Sequence, residues 1–144
     1  MLKERSMAAI YLAPYAGILA LLYLGLSYYV TGFRRRHRLP YGHNEDDAMQ
    51  RAIRAHGNFV EYAPFGLLLL YLLASVGTHP YVVSGLATAL VLGRIAHAYS
   101  MLVVEPRRGS YKLRMASMLL TFFTLGVIGL MLLVAWFGFS FGAN

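Results

Sequence analysis

Arg51-Ala-Ile-Arg54-Ala-His56-Gly-Asn58-Phe-Val-Glu61-Tyr62-Ala-Pro64 opens a segment that then runs apolar to Val76. On a helix of about 3.6 residues per turn, Arg51, Arg54, Asn58 and Glu61 fall along one stripe. The steps from Arg54 to Asn58 and from Asn58 to Glu61 are four and three residues, spacings at which side chains share a face. Ionised and amide groups on one stripe of a membrane helix are costly there and mark a site. Snorkelling of Arg51 and Arg54 to lipid headgroups, with Glu61 neutralising one of them, accounts for the arginines equally well. It accounts less well for Asn58 and Glu61, which lie deeper and beside an unbroken apolar run.

The rest of the chain has the composition of a membrane protein. Of 144 residues, 58% are hydrophobic, against roughly 45–50% in soluble domains. Mean hydropathy is +0.55. Several apolar runs reach the roughly 20 residues that a helix needs to cross a bilayer. The expected fold is an all-α membrane protein, one four-helix transmembrane domain over residues 1–144, with spans at about 7–33, 45–76, 81–104 and 113–139.

The first run, Met7 to Phe33, is too long for a signal peptide and lacks a small-residue cleavage site. Arg34-Arg35-Arg36-His37-Arg38 ends it. Asn44 followed by Glu45, Asp46 and Asp47 reads as a helix start, a capping residue and then acids at the positive end of the dipole. Pro64 is expected to bend the second helix. Gly77-Thr-His-Pro80 is a tight connection, and Arg94 and His97 share a face near the far end of the third span. Glu105-Pro-Arg-Arg-Gly-Ser-Tyr-Lys112 reads as a basic loop with Pro106 and Gly109 as breakers.

Net charge is +7, and the basic residues cluster beside apolar runs rather than in any nucleic-acid-binding motif. A nucleic-acid partner is not expected; membrane lipids are. The first and third loops hold nearly all the Lys and Arg, which places them in the cytoplasm and both termini outside. The charged ends of the helices then converge at the cytoplasmic side, bringing Arg34–Arg38, Arg51, Arg54, Asn58, Glu61, Arg94, His97 and Arg107–Arg114 to one depth.

Arginines suit carboxylates or phosphates through paired charge-assisted hydrogen bonds. Glu61 suits an ammonium group, and Asn58 offers donor and acceptor to a peptide amide. A small zwitterionic peptide with an excess of carboxylates fits this inventory, whereas a phosphate leaves Glu61 unused. An internal pair of Glu61 with Arg54 or Arg94 is the alternative, since buried charges generally need a partner. The chain has no cysteine, so any thiol must arrive on a small molecule. The five histidines, His37, His43, His56, His79 and His97, show no metal-ligand spacing, and no metal is expected.

Arg54-Ala-His-Gly-Asn58-Phe-Val-Glu61, the apolar run with Pro64, and Gly93-Arg94-Ile-Ala-His97 together resemble the MAPEG family. That name covers membrane-associated proteins in eicosanoid and glutathione metabolism. The resemblance covers almost the whole chain and is nearest to the small bacterial members. It implies a homotrimer of four-helix subunits, with glutathione between neighbouring subunits near the cytoplasmic face. Glutathione contacts would fall on Arg54, Asn58, Glu61 and His97, with Arg35 at the end of the first helix. Arg94 also matches and is expected to support the site by pairing with a carboxylate. The thiolate-stabilising arginine would be Arg114, with Arg107 and Arg108 as rivals.

In the prostaglandin synthase branch a tyrosine follows the histidine by one turn; here that position is Met101. The implied activity is that of a glutathione transferase or peroxidase acting on lipophilic electrophiles, a detoxification chemistry. The alternative is a non-catalytic glutathione- or lipid-binding protein. For a bacterial member the location would be the cytoplasmic (inner) membrane.

Overall fold

The protein is described here by a computed structural model. It describes the backbone of residues 2–42 and 46–141 and the side chains of 10–42 and 46–139. The described chain is helical: α1 (Leu2–His37), α2 (Asp47–Ser75), α3 (Pro80–Tyr99), a π-helical turn (Ser100–Val104), α4 (Glu105–Arg108) and α5 (Lys112–Phe141). Four stretches, Ile10–His37, Asp47–Ser75, Pro80–Arg108 and Lys112–Phe139, are long and apolar enough to cross a membrane.

α1 packs mainly on α2, and α5 mainly on α3, so α2 and α3 form the centre of the bundle. Half of the most apolar window of the third span is buried inside the chain, against 17% for the first and fourth spans. Leu70, Leu73, Val83, Leu90 and Ile128 fill the apolar core. Large apolar side chains such as Leu21, Leu68, Leu119, Phe123 and Leu130 remain on the outside, as expected where the surrounding medium is lipid.

The helix ends follow local chemistry. Arg34, Arg35, Arg36 and His37 lie within the last turn of α1 rather than beyond it, where positive charge meets the negative end of the helix dipole. Arg38 then turns left-handed, with φ 52°, and the Leu39 N–H closes onto the Arg34 carbonyl at 3.0 Å, a Schellman-type stop. The cap of α2 is Asp46, whose Oδ1 accepts from the N–H groups of Ala48 and Met49 at 2.8 and 3.0 Å. The capping role expected of Asn44, and the helix start at Glu45, lie outside the described residues. α2 is helical through Pro64 to Ser75.

The third span differs most from its reading as a sequence. It does not give way to a loop at Val104 but continues as helix to Arg108, with Pro106 at the start of α4. The Glu105 N–H reaches back five residues to the Ser100 carbonyl. Pro106, which has no N–H to donate, thus falls where the chain changes from five-residue to four-residue hydrogen bonding, and breaks nothing. Gly109, left-handed at φ 61°, is the actual stop, with its N–H on the Glu105 carbonyl at 2.9 Å.

Candidate functional site

Three helices contribute polar side chains to one cavity of about 470 Å³, within the roughly 300–1,000 Å³ common for small-ligand sites. α2 supplies Arg54, Asn58 and Glu61, α3 supplies His97, and α5 supplies Arg114. Ile53, Gly57, Met101 and Met118 complete the wall. Three of the four residues of the polar stripe of α2 therefore face a pocket of the protein; Arg51 is not among its lining residues.

The cavity has an inner wall of different character. Arg94 is 1% exposed and is not among the lining residues. Its Nη1 donates to Asn58 Oδ1 at 2.6 Å, and its Nη2 donates to Thr121 Oγ1 at 2.6 Å. The Met118 sulfur lies 3.5 Å from the same Nη2, and the guanidinium carbon is 5.3 Å from the centre of the Tyr62 ring. Thr121 in turn donates to the Ser117 carbonyl. The expected pairing of Arg94 with a carboxylate is thus replaced by amide and hydroxyl acceptors, because these are what α2 and α5 present to it.

This network orients Asn58. A guanidinium only donates, so Asn58 must turn its carbonyl oxygen toward Arg94. The amide NH2 is left for the cavity. Asn58 consequently offers a ligand donors, more than the balanced donor and acceptor pair read from its chemistry alone.

The close approach of α3 and α5 that makes this possible depends on Gly93. A Cβ there would lie 2.8 Å from Thr121 Oγ1 and 3.3 Å from the Ser117 carbonyl oxygen.

Among the described residues, neither Arg54 nor Glu61 has an ion pair within the chain, and Glu61 does not pair with Arg54 or Arg94. The ion pair near the cavity is Arg114 Nη1 to Glu105 Oε2 at 3.2 Å. The Arg114 guanidinium carbon also lies 4.9 Å from the centre of the Tyr111 ring. Of the three arginines considered for the thiolate role, Arg114 lines the cavity. Arg107 and Arg108 are exposed on α4. His97 is 4% exposed, and Met101, one turn on, shares the wall with it.

Arg35 is not brought to this cavity. It lines a separate groove on α1 with Leu24, Ser27, Tyr28, Thr31 and Gly32.

Glu105, Ser100, Met118 and Thr121 were not singled out in the sequence. Glu105 carried a usable signal, as the one acid amid the basic residues of its segment. Thr121 and Met118 did not, since a threonine or methionine in an apolar span is ordinary.

The MAPEG family model matches residues 12–134. Two curated relatives, each an "Inner membrane protein YecN" from a strain of Escherichia coli, are 36% identical over 87 residues, covering 60% of this chain. The matched segment spans 66%, just under two thirds, of each relative's length. With the family model matching most of its length and four helices able to cross a bilayer, this chain is an integral, multi-pass membrane protein of the MAPEG family.

Proposed function

We propose that the protein binds glutathione in the charged cavity and presents its thiol, activated by Arg114, to lipophilic electrophiles entering from the bilayer. The observation that carries this reading is the meeting of Arg54, Asn58, Glu61, His97 and Arg114 in one cavity. Glutathione has two carboxylates, an ammonium group and two amides. Arg54 matches a carboxylate, Glu61 the ammonium, and the Asn58 NH2 a carbonyl or carboxylate oxygen. Arg54 and Glu61 are exposed on the cavity and have no ion-pair partner among the described residues, so their charges are open to a ligand.

When bound, glutathione supplies the thiol that this cysteine-free chain lacks. The role of Arg114 is electrostatic. A guanidinium beside a thiol favours the charged form, and the proton leaves to water. The same first step serves conjugation and peroxide reduction.

Arg35 lies on a different face of the chain from the cavity. Its participation requires a neighbouring copy to bring its α1 to this cavity, which is how a homotrimer would complete the site. Basic residues in the segments 34–38 and 105–114 support a cytoplasmic position for this end and external termini, in a cytoplasmic membrane.

The test is calorimetric titration of the purified protein in detergent with glutathione, followed by a conjugation assay with chlorodinitrobenzene. Binding with turnover supports the reading. Binding without turnover across several electrophiles leaves a non-catalytic binder. No binding rejects both.

A further inference from the structure

The carboxylate nearest Arg114 belongs to none of the roles above. Glu105 is 8% exposed. Its Oε2 accepts from Arg114 Nη1 at 3.2 Å, and its Oε1 accepts from the Ser100 hydroxyl at 3.4 Å. Ser100 is itself fully buried. Arg114 is therefore held on one side by a buried acid and flanked on another by the Tyr111 ring, and it still borders the cavity.

Glu105 reaches this place because of the π turn. In an unbroken α-helix at about 3.6 residues per turn, position 104 would repeat the face of His97, and position 105 would lie roughly a quarter-turn away. One π turn takes up an extra residue. The face that Val104 would occupy passes to Glu105. π turns inside α-helices recur at functional sites, and this one delivers a carboxylate to the arginine at the cavity wall.

We propose that Glu105 is a positioning residue that holds the Arg114 guanidinium at the cavity and whose charge limits how strongly Arg114 favours an anionic sulfur. This rests on the glutathione reading above. The physical cause is direct: a carboxylate at 3.2 Å offsets part of the guanidinium's positive field at any third group nearby. The other charged and titratable groups that share the cavity with Arg114 or pack on it are Arg54 and Glu61 from α2, His97 from α3, and Tyr111 just before α5; Arg107, Arg108 and Lys112 are its neighbours in sequence. Each is unchanged by a substitution at Glu105, so a charge-removing variant isolates this one contribution.

The experiment follows the ultraviolet absorbance of the bound glutathione thiolate against pH, in the full-length protein, for wild type, Glu105→Gln and Glu105→Asp. Glutamine keeps the size and an oxygen that can accept from Arg114, and removes the charge. Its midpoint is expected about 0.5–1 pH unit below wild type, a roughly three- to tenfold gain in thiolate at a pH well below both midpoints. Aspartate keeps the charge, and its midpoint is expected close to wild type. Calorimetric affinity for S-methylglutathione, which has no thiol to ionise, is expected to change less than that for glutathione. An unchanged midpoint in Glu105→Gln, or an equal fall in Glu105→Asp, overturns the proposal while leaving the glutathione reading intact. Failure of the wild type to bind glutathione overturns that reading first, and this proposal with it.

Discussion

Arg94 and Arg54 stand on neighbouring helices behind and in front of the same asparagine, and the chain treats them in opposite ways. Arg94 is fully enclosed, and Asn58 and Thr121 accept its two terminal nitrogens. Arg54 is exposed to the cavity, as is Glu61, and neither has an ion-pair partner among the described residues. The two terminal nitrogens of the inner arginine are satisfied by the fold and hold α2, α3 and α5 together, while its Nε is buried without a hydrogen-bond partner. The outer pair is left for something else. Charge alone therefore does not separate these two arginines; their burial and hydrogen-bond partners do.

That contrast can be broken from either side. The largest effect is expected where the inner network is stranded. Asn58→Leu combined with Thr121→Val leaves a buried guanidinium without its acceptors and should lower stability by about 3–5 kcal/mol, read as a fall in Tm in detergent. Arg94→Met removes the charge together with its needs and should cost less, about 1–3 kcal/mol, for the donors lost to Asn58 and Thr121. If the single arginine replacement proves worse than the double acceptor replacement, the inner wall does not work as described.

The outer groups should behave conversely. Arg54→Ala and Glu61→Gln are each expected to weaken glutathione binding roughly 10- to 100-fold, the equivalent of losing a charge-assisted hydrogen bond. Tm should stay near wild type. A clear fall in Tm without a change in affinity would return these residues to a structural role.

The smallest effect lies outside the membrane. The Asp46 carboxyl is held below the usual carboxylate range, chiefly by the Met49 N–H, with the Ala48 N–H and the charges of His37 and Arg51 acting in the same direction. Its folded-state pKa is lowered, so its contribution to stability is present above the unfolded carboxylate pKa and is lost as pH falls through the lowered value. Asp46→Asn should keep the cap at neutral pH and flatten this acid-side loss, and Asp46→Ala should lower Tm slightly at neutral pH. Thermal melts across the acid range check both.

Much of this was legible in the sequence. Four spans follow from apolar length alone, and the stripe from Arg54 to Glu61 follows from helical spacing. The convergence of that stripe with His97 and Arg114 was anticipated because all three lie at the same end of their helices. What was not legible depends on contacts between distant residues or on backbone register. Arg94 meets Thr121, 27 residues away on another helix, and no local pattern marks that threonine. Pro106 reads as a helix breaker, yet the π turn before it lets the helix run on to Arg108. That extension also separates Arg114, at the cavity, from Arg107 and Arg108, which share its composition and not its position.

The central claim is that the unpaired groups of α2 await a zwitterionic peptide. Calorimetric titration with glutathione, run on wild type and on the Arg54→Ala, Glu61→Gln double variant at matched Tm, tests it most directly. Saturable heat in the wild type that disappears in the double variant is the predicted result. Equal binding by both proteins, or none by the wild type, would contradict it.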